Sequence, residues 1–263
     1  MVPTIKAILF DLDGTLLDTE ALSDKAVLFA FKDSLPAPIL EERAALGYSL
    51  PWEMKKQILG LRGAEWVPKA VRYGQQNWGI STEETATPAR PAPPGLEEFW
   101  TSWEDNLSSY CDHVTACAGA RELVEALAKA GLPIAIATSS RLAGVEKKRM
   151  NHQAMFKNIS TIIAGDHPAV KKGKPAPDIY LEAARQLGVD PEECLVFEDA
   201  LSGVRSGKAA GCLVVAIPDP RFSLEERAAF ESEADVVVPN LWAFDGRTFG
   251  IDVDMKTLRK HLN

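Results

Sequence analysis

Ile5-Lys6-Ala7-Ile8-Leu9-Phe10-Asp11-Leu12-Asp13-Gly14-Thr15 is the stretch on which the fold turns. A short apolar run that ends directly on two acids and a glycine reads as a buried strand stopped by a turn. Side chains at i and i+2 of a strand project to the same side, so Asp11 and Asp13 share one site. Further runs rich in Ile, Val, Leu or Ala follow at Pro133 to Thr138, Ile159 to Ala164, Cys194 to Glu198, Leu213 to Ile217 and Asp235 to Val238. Between them the apolar spacing is helical. Ala120 to Ala130 groups Leu123, Val124 and Leu127 before Gly131, and Asp178 to Leu187 groups Ile179, Ala183, Ala184 and Leu187 before Gly188. Strands alternating with helices predict an α/β fold whose parallel sheet is covered on both faces.

From about Leu17 to Cys111 that rhythm breaks. The segment has helical patterning, five of the chain's six tryptophans and no strand-sized β-branched run, so it reads as a separate helical domain inserted after the first strand. Within it, Ser81 to Gly95 carries Pro88, Pro91, Pro93 and Pro94, which favours an extended, mobile surface loop over a helix. The 263 residues carry 29 Lys and Arg against 37 Asp and Glu, a net charge of −8, which makes nucleic acid and anionic membranes poor partners. No apolar run reaches the ~18 residues of a membrane span, and no basic, cleavable leader precedes Ile5. Cys111, Cys117, Cys194 and Cys212 lack metal-binding spacing and read as reduced thiols, so a cytoplasmic protein is expected.

A second acidic pair, Glu198-Asp199, ends the apolar run Leu195-Val196-Phe197. If both strands are central in one sheet, up to four carboxylates converge at the rim where open α/β sheets bind ligands, and like charges that close call for a cation. An oxygen-only, carboxylate-rich site suits Mg²⁺. A calcium loop does not fit, because Gly14 is fourth and Leu22 twelfth where an EF-hand needs Gly sixth and Glu twelfth. Thr138, with Ser139 and Ser140, closes the run from Ile134 to Ala137 and could hold an oxyanion, although strand-end and helix-capping hydroxyls are common. Lys174 stands before Pro175, in Gly173-Lys174-Pro175-Ala176-Pro177-Asp178, so its cation sits on extended backbone where it could neutralise a phosphoryl group. Lys171 and Lys172 read as solvated charge, and Asp178 as a first-turn acid favoured by the helix dipole. His113, His152, His167 and His261 show no ligand spacing and no nucleophile-elbow context, which removes zinc and serine-hydrolase readings. In the insert, Arg62 between Gly60 and Gly63 is the candidate for touching an anionic substrate, with solvation its ordinary alternative.

Taken in order, Asp11-Leu12-Asp13-Gly14-Thr15, Thr138, Lys174 and Glu198-Asp199 resemble the four motifs of the haloacid dehalogenase-like hydrolase superfamily, spanning Ile5 to about Pro239. Leu16-Leu17-Asp18-Thr19-Glu20, Lys172 to Tyr180 and Phe197-Glu198-Asp199-Ala200 look like the branch that holds pseudouridine-5'-phosphatase, glycerol-3-phosphatase, sugar-phosphate phosphatases and β-phosphoglucomutase. The resemblance implies a Rossmann-like core of residues 1–16 plus 112–263, a helical cap of residues 17–111 inserted after the first motif, and Mg²⁺. It implies that Asp11 is the nucleophile and a metal ligand. Asp13 would be the acid and base, its backbone carbonyl also on the metal. Asp199 would bind the metal directly, with Glu198 in or beside its water shell. Thr138, the Ser139 backbone N–H and Lys174 would hold the transferring phosphoryl oxygens, and substrate choice would fall to residues 60–65 and to Glu20. Two features depart from the branch: the Pro-rich stretch lengthens the cap, and Ala118 stands before Gly119 where Pro is usual. The expected activity is a Mg²⁺-dependent phosphatase for a small phosphorylated metabolite, with no nucleic acid, membrane or readable protein partner. A phosphomutase would keep the same core residues. A catalytically idle binder of a metabolite or protein is the alternative from another class.

Overall fold

The computed structural model describes residues 4–262, so residues 1–3 and 263, which the sequence reading assigns to the core, lie outside the described residues. The strands are β1 (Ala7–Phe10), β2 (Leu17–Asp18), β3 (Thr115–Ala116), β4 (Ile134–Ala137), β5 (Thr161–Ile163), β6 (Cys194–Glu198), β7 (Leu213–Ala216) and β8 (Val236–Val237). The helices are α1 (Glu20–Ala30), α2 (Ala37–Ala45), α3 (Trp52–Ile58), α4 (Gly63–Asn77), α5 (Leu96–Ser109), α6 (Ala120–Lys129), α7 (Leu142–Arg149), α8 (Gln153–Phe156), α9 (Asp178–Leu187), α10 (Leu201–Ala209), α11 (Leu224–Glu233) and α12 (Met255–Leu262).

Six strands form one parallel sheet in the order β5-β4-β1-β6-β7-β8. Residues of β1, β4 and β6 are fully shielded along their whole length, which is why these strands are continuous apolar runs rather than alternating ones. The fold is therefore α/β with a Rossmann-like parallel core. Leu123, Val124 and Leu127 bury one face of α6, and Gly131 follows that helix with φ +81°. Ile179, Ala183 and Ala184 bury one face of α9, which ends on the left-handed Gly188. These are the spacings visible in the sequence.

The chain divides into two compact units. One runs to Asp18 and resumes at Thr115, and the other is Thr19–Val114. Leu17–Asp18 pairs antiparallel with Thr115–Ala116, so β2 and β3 both belong to the first unit. Strands of two residues leave no periodicity to read, which is why this ribbon is invisible in the sequence.

The unit Thr19–Val114 contains α1 to α5 around a cluster that includes Phe31, Trp66, Trp78 and Phe99. Phe99 meets Phe31 edge-on with centroids 4.8 Å apart and Trp66 at 6.0 Å. Between Asn77 and Leu96 the chain makes turns and no helix, in agreement with its prolines. It is held locally rather than loosely. Thr87 and Arg90 exchange two backbone hydrogen bonds of 3.0 Å, and the Arg90 guanidinium donates to the Gly79 carbonyl at 2.6 Å.

Candidate active site

Asp11 follows β1 and Glu198 closes β6, and the two strands are neighbours with Phe10 opposite Phe197. The Asp11 backbone N–H donates to the Phe197 carbonyl at 3.0 Å, which continues the ladder one step past the strand. Both acids thus reach the carboxyl edge of the sheet at its centre. Carboxylate oxygens of Asp11, Glu198 and Asp199 lie within 4.8 Å of one another, and all three residues are buried.

Lys174 bridges this group. Its Nζ donates to Asp11 Oδ1 at 2.6 Å, to Glu198 Oε1 at 2.6 Å and to the Ala137 carbonyl at 3.1 Å. The side chain is only 1% exposed. Burial is the largest influence on Asp11 and pushes its carboxyl up to about 8; Lys174 pulls it down, while Glu198 and Asp13 add to the rise. Burial pulls the Lys174 ammonium down, but Asp11 and Glu198 together outweigh it and hold the ammonium above its ordinary value. The Tyr180 hydroxyl, from α9, donates to Glu198 Oε1 at 2.6 Å.

The loop that carries Lys174 is tied down on both sides. Asp178 Oδ2 accepts the backbone N–H groups of Lys171 and Lys172, each at 2.9 Å, and Ser206 Oγ donates to the Ala176 carbonyl at 2.6 Å. Those N–H bonds, led by the one from Lys172, hold the Asp178 carboxyl below the usual range. Asp178 is therefore more than a helix-dipole acid, because it closes the turn that delivers Lys174. Two glycines make room for the acids. A Cβ on Gly203 would collide with the Glu198 carboxyl, and one on Gly14, whose φ is +90°, would run into the Asp199 carboxylate. Thr15 Oγ1 donates to Asp199 Oδ1 at 3.3 Å.

Asp13 stands in a second cluster. Ser140 Oγ donates to Asp13 Oδ2 at 2.7 Å, and Thr138 Oγ1 lies 3.5 Å from the same oxygen. Lys148, from α7, donates to Asp13 Oδ1 at 2.6 Å and to Ser140 Oγ at 3.0 Å. Thr138 is buried, accepts the Ser140 backbone N–H at 3.1 Å, and is followed by the half-buried Ser139. Asp11, Asp13, Thr138, Lys174, Glu198 and Asp199 are thus gathered around the carboxyl ends of β1, β4 and β6.

Glu20 and Arg62 belong to the other unit. Glu20 opens α1 and pairs with Lys55 Nζ at 2.5 Å, and Lys55 also pairs with Asp24. Arg62 precedes α4, and its backbone N–H donates to Glu65 Oε2 at 2.9 Å. Three contributors escaped the sequence reading as site residues: Lys148, Ser140 and Tyr180. Lys148 sits in Glu146-Lys147-Lys148-Arg149, a run that reads as solvated charge, and Tyr180 looks like one more core residue of α9. Ser140 was visible only as part of the hydroxyl cluster.

The three buried acids Asp11, Glu198 and Asp199 offer only oxygen ligands, with the Lys174 ammonium paired to two of them, and such a set suits a hard divalent cation better than a soft one. The haloacid dehalogenase-like hydrolase family profile matches residues 5–211. The chain belongs to this family. It is 32% identical over 251 residues to (DL)-glycerol-3-phosphatase 2 of Arabidopsis thaliana, covering 94% of this chain and 92% of that protein. It is 33% identical over 245 residues to a probable pseudouridine-5'-phosphatase of Drosophila melanogaster, covering 92% of each. Among solved structures, CbbY from Rhodobacter sphaeroides in complex with phosphate superposes with a TM-score of 0.67 at 26% identity, over 90% of this chain and 95% of that one. Among the described residues, no helix is long and apolar enough to cross a membrane.

Proposed function

We propose that this phosphoric monoester hydrolase is a Mg²⁺-dependent phosphatase of a small phosphorylated metabolite, a sugar, polyol or nucleoside monophosphate, acting through an aspartyl-phosphate on Asp11. The observation that carries this reading is Lys174, buried and hydrogen-bonded to both Asp11 and Glu198 at the carboxyl edge of the sheet. Phosphoryl transfer asks for positioning and charge neutralisation, and a fixed cation beside a nucleophilic carboxylate supplies both. The names of the relatives, a glycerol phosphatase and a pseudouridine phosphatase, support the substrate class.

An Asp11 carboxylate oxygen attacks phosphorus and the bond from phosphorus to the substrate oxygen breaks, with Asp13 giving the departing oxygen its proton. Water then attacks phosphorus, Asp13 takes the proton from that water, and the bond to Asp11 breaks to release phosphate and restore the carboxylate. Thr138, the Ser139 backbone N–H and Lys174 hold the phosphoryl oxygens. Asp11, Asp199 and the Asp13 backbone carbonyl would hold Mg²⁺, with Glu198 in or beside its water shell. When bound, Mg²⁺ supplies positive charge that keeps Asp11 ionised and neutralises the phosphoryl oxygens. Glu20 and Arg62, both in the unit Thr19–Val114, are assigned to substrate selection. The four cysteines are unbridged, which supports a cytoplasmic location.

Phosphate release from nucleotide, sugar, glycerol and pseudouridine monophosphates, with and without Mg²⁺, tests the reading. The expected result is Mg²⁺-dependent release from one class, reduced by more than about 10³-fold in Asp11→Asn. Halide release from haloacids that exceeds phosphate release would overturn it. Silence across the panel would move the assignment to a phosphomutase or a binder.

A further inference from the structure

Lys148 belongs to no motif of the sequence, yet its side chain is 3% exposed. A helix-surface lysine ordinarily keeps its ammonium in water, because desolvating it is costly unless a partner compensates. Here the partner is Asp13. Lys148 Nζ donates to Asp13 Oδ1 at 2.6 Å and to Ser140 Oγ at 3.0 Å, and Ser140 Oγ donates to Asp13 Oδ2 at 2.7 Å, so three groups close a ring. The neighbouring charges of α7 do otherwise, Arg149 pairing with Glu146 at 2.8 Å where both are half exposed.

A carboxylate turns easily about its last torsion. Anchors on both oxygens remove that freedom, and the two anchors differ in kind. An ammonium only donates, so it fixes Oδ1 as an acceptor. Oδ2 meets the hydroxyls of Ser140 and Thr138, which can accept as well as donate. We propose that Lys148, with Ser140, is a positioning residue for Asp13: it pins Oδ1 and thereby makes Oδ2 the oxygen that hands a proton to the departing alcohol. This rests on the role of Asp13 as acid and base given above.

The test separates leaving groups. An alkoxide needs a proton to depart, whereas p-nitrophenolate leaves as a stable anion, and kcat/KM reports the steps through that departure. With glycerol 3-phosphate, or the best alkyl monoester of the panel, Lys148→Met should lower kcat/KM about 10²-fold, while p-nitrophenyl phosphate loses less than about fivefold. Lys148→Arg should restore most of the alkyl activity. Ser140→Ala deletes a single hydroxyl and should show the same selectivity in weaker form, which keeps the test valid if Lys148→Met does not fold. Equal losses for both esters in the folded variants would make Lys148 a phosphoryl ligand or a structural residue and overturn the proposal. Asp13→Asn serves as the control. If it is selective for the alkyl ester and the Lys148 and Ser140 variants are not, the positioning role fails and the function stands; if it shows no selectivity, the acid role fails and takes this proposal with it.

Discussion

Asp11 illustrates how neighbours compete over a single proton. Burial raises its carboxyl from the ordinary 3.8 to about 8, Glu198 and Asp13 push the same way, and Lys174 recovers only part of the difference. The folded chain therefore binds this proton more tightly than the unfolded chain between those two values. In that window the unfolded state has lost the proton and the folded state has not, so stability contributed by Asp11 falls as pH rises from about 4 to 8. Denaturant melts at successive pH values in chelator should show this decline, and Asp11→Asn should remove it. The same residues show what can be read from a sequence. Asp11 and Asp13 are legible because an apolar run stops on them, and Lys174 because Pro175 follows it directly and Pro177 comes two residues later. Lys148 is not, because Glu146-Lys147-Lys148-Arg149 carries no local mark of which cation turns inward.

At the scale of elements, α9 and its approach do two jobs. Its first residue, Asp178, ties back the N–H groups of Lys171 and Lys172, and its third, Tyr180, hydrogen-bonds Glu198. Asp178→Ala should lower kcat about tenfold through misplacement of Lys174. The accompanying loss of stability should be only about 1 kcal/mol, as for other lost side-chain caps, and steady-state kinetics beside urea melts separate the two effects. The extent of α9 is legible from the spacing of Ile179, Ala183 and Ala184 and from Gly188. The ribbon of β2 and β3 is not, since its four residues gain their pairing from segments nearly a hundred residues apart.

Over the whole molecule, two compact units each bury an apolar cluster of their own. Units with separate cores need not unfold in one step. Calorimetry should therefore resolve two transitions. Phe99→Ala, which empties a fully buried ring site in the unit Thr19–Val114, should lower one of them by about 3–5 kcal/mol of stability. Saturating Mg²⁺ should raise the other, because a ligand stabilises the unit that holds it. The sequence by itself determined the alternation of strands and helices, the helical character of the insert, and the acids at the ends of β1 and β6. Those features are local: apolar period, chain-stopping residues and proline each act within a few positions. Only the tertiary structure decided that β1 lies between β4 and β6, that Lys174 bridges Asp11 and Glu198, and that Lys148 and Ser140 grip Asp13. Strand order and the burial of a particular charge depend on partners remote in sequence, 163 residues apart for Lys174 and Asp11 and 135 for Lys148 and Asp13, and no local pattern encodes which distant group will compensate a desolvated ion.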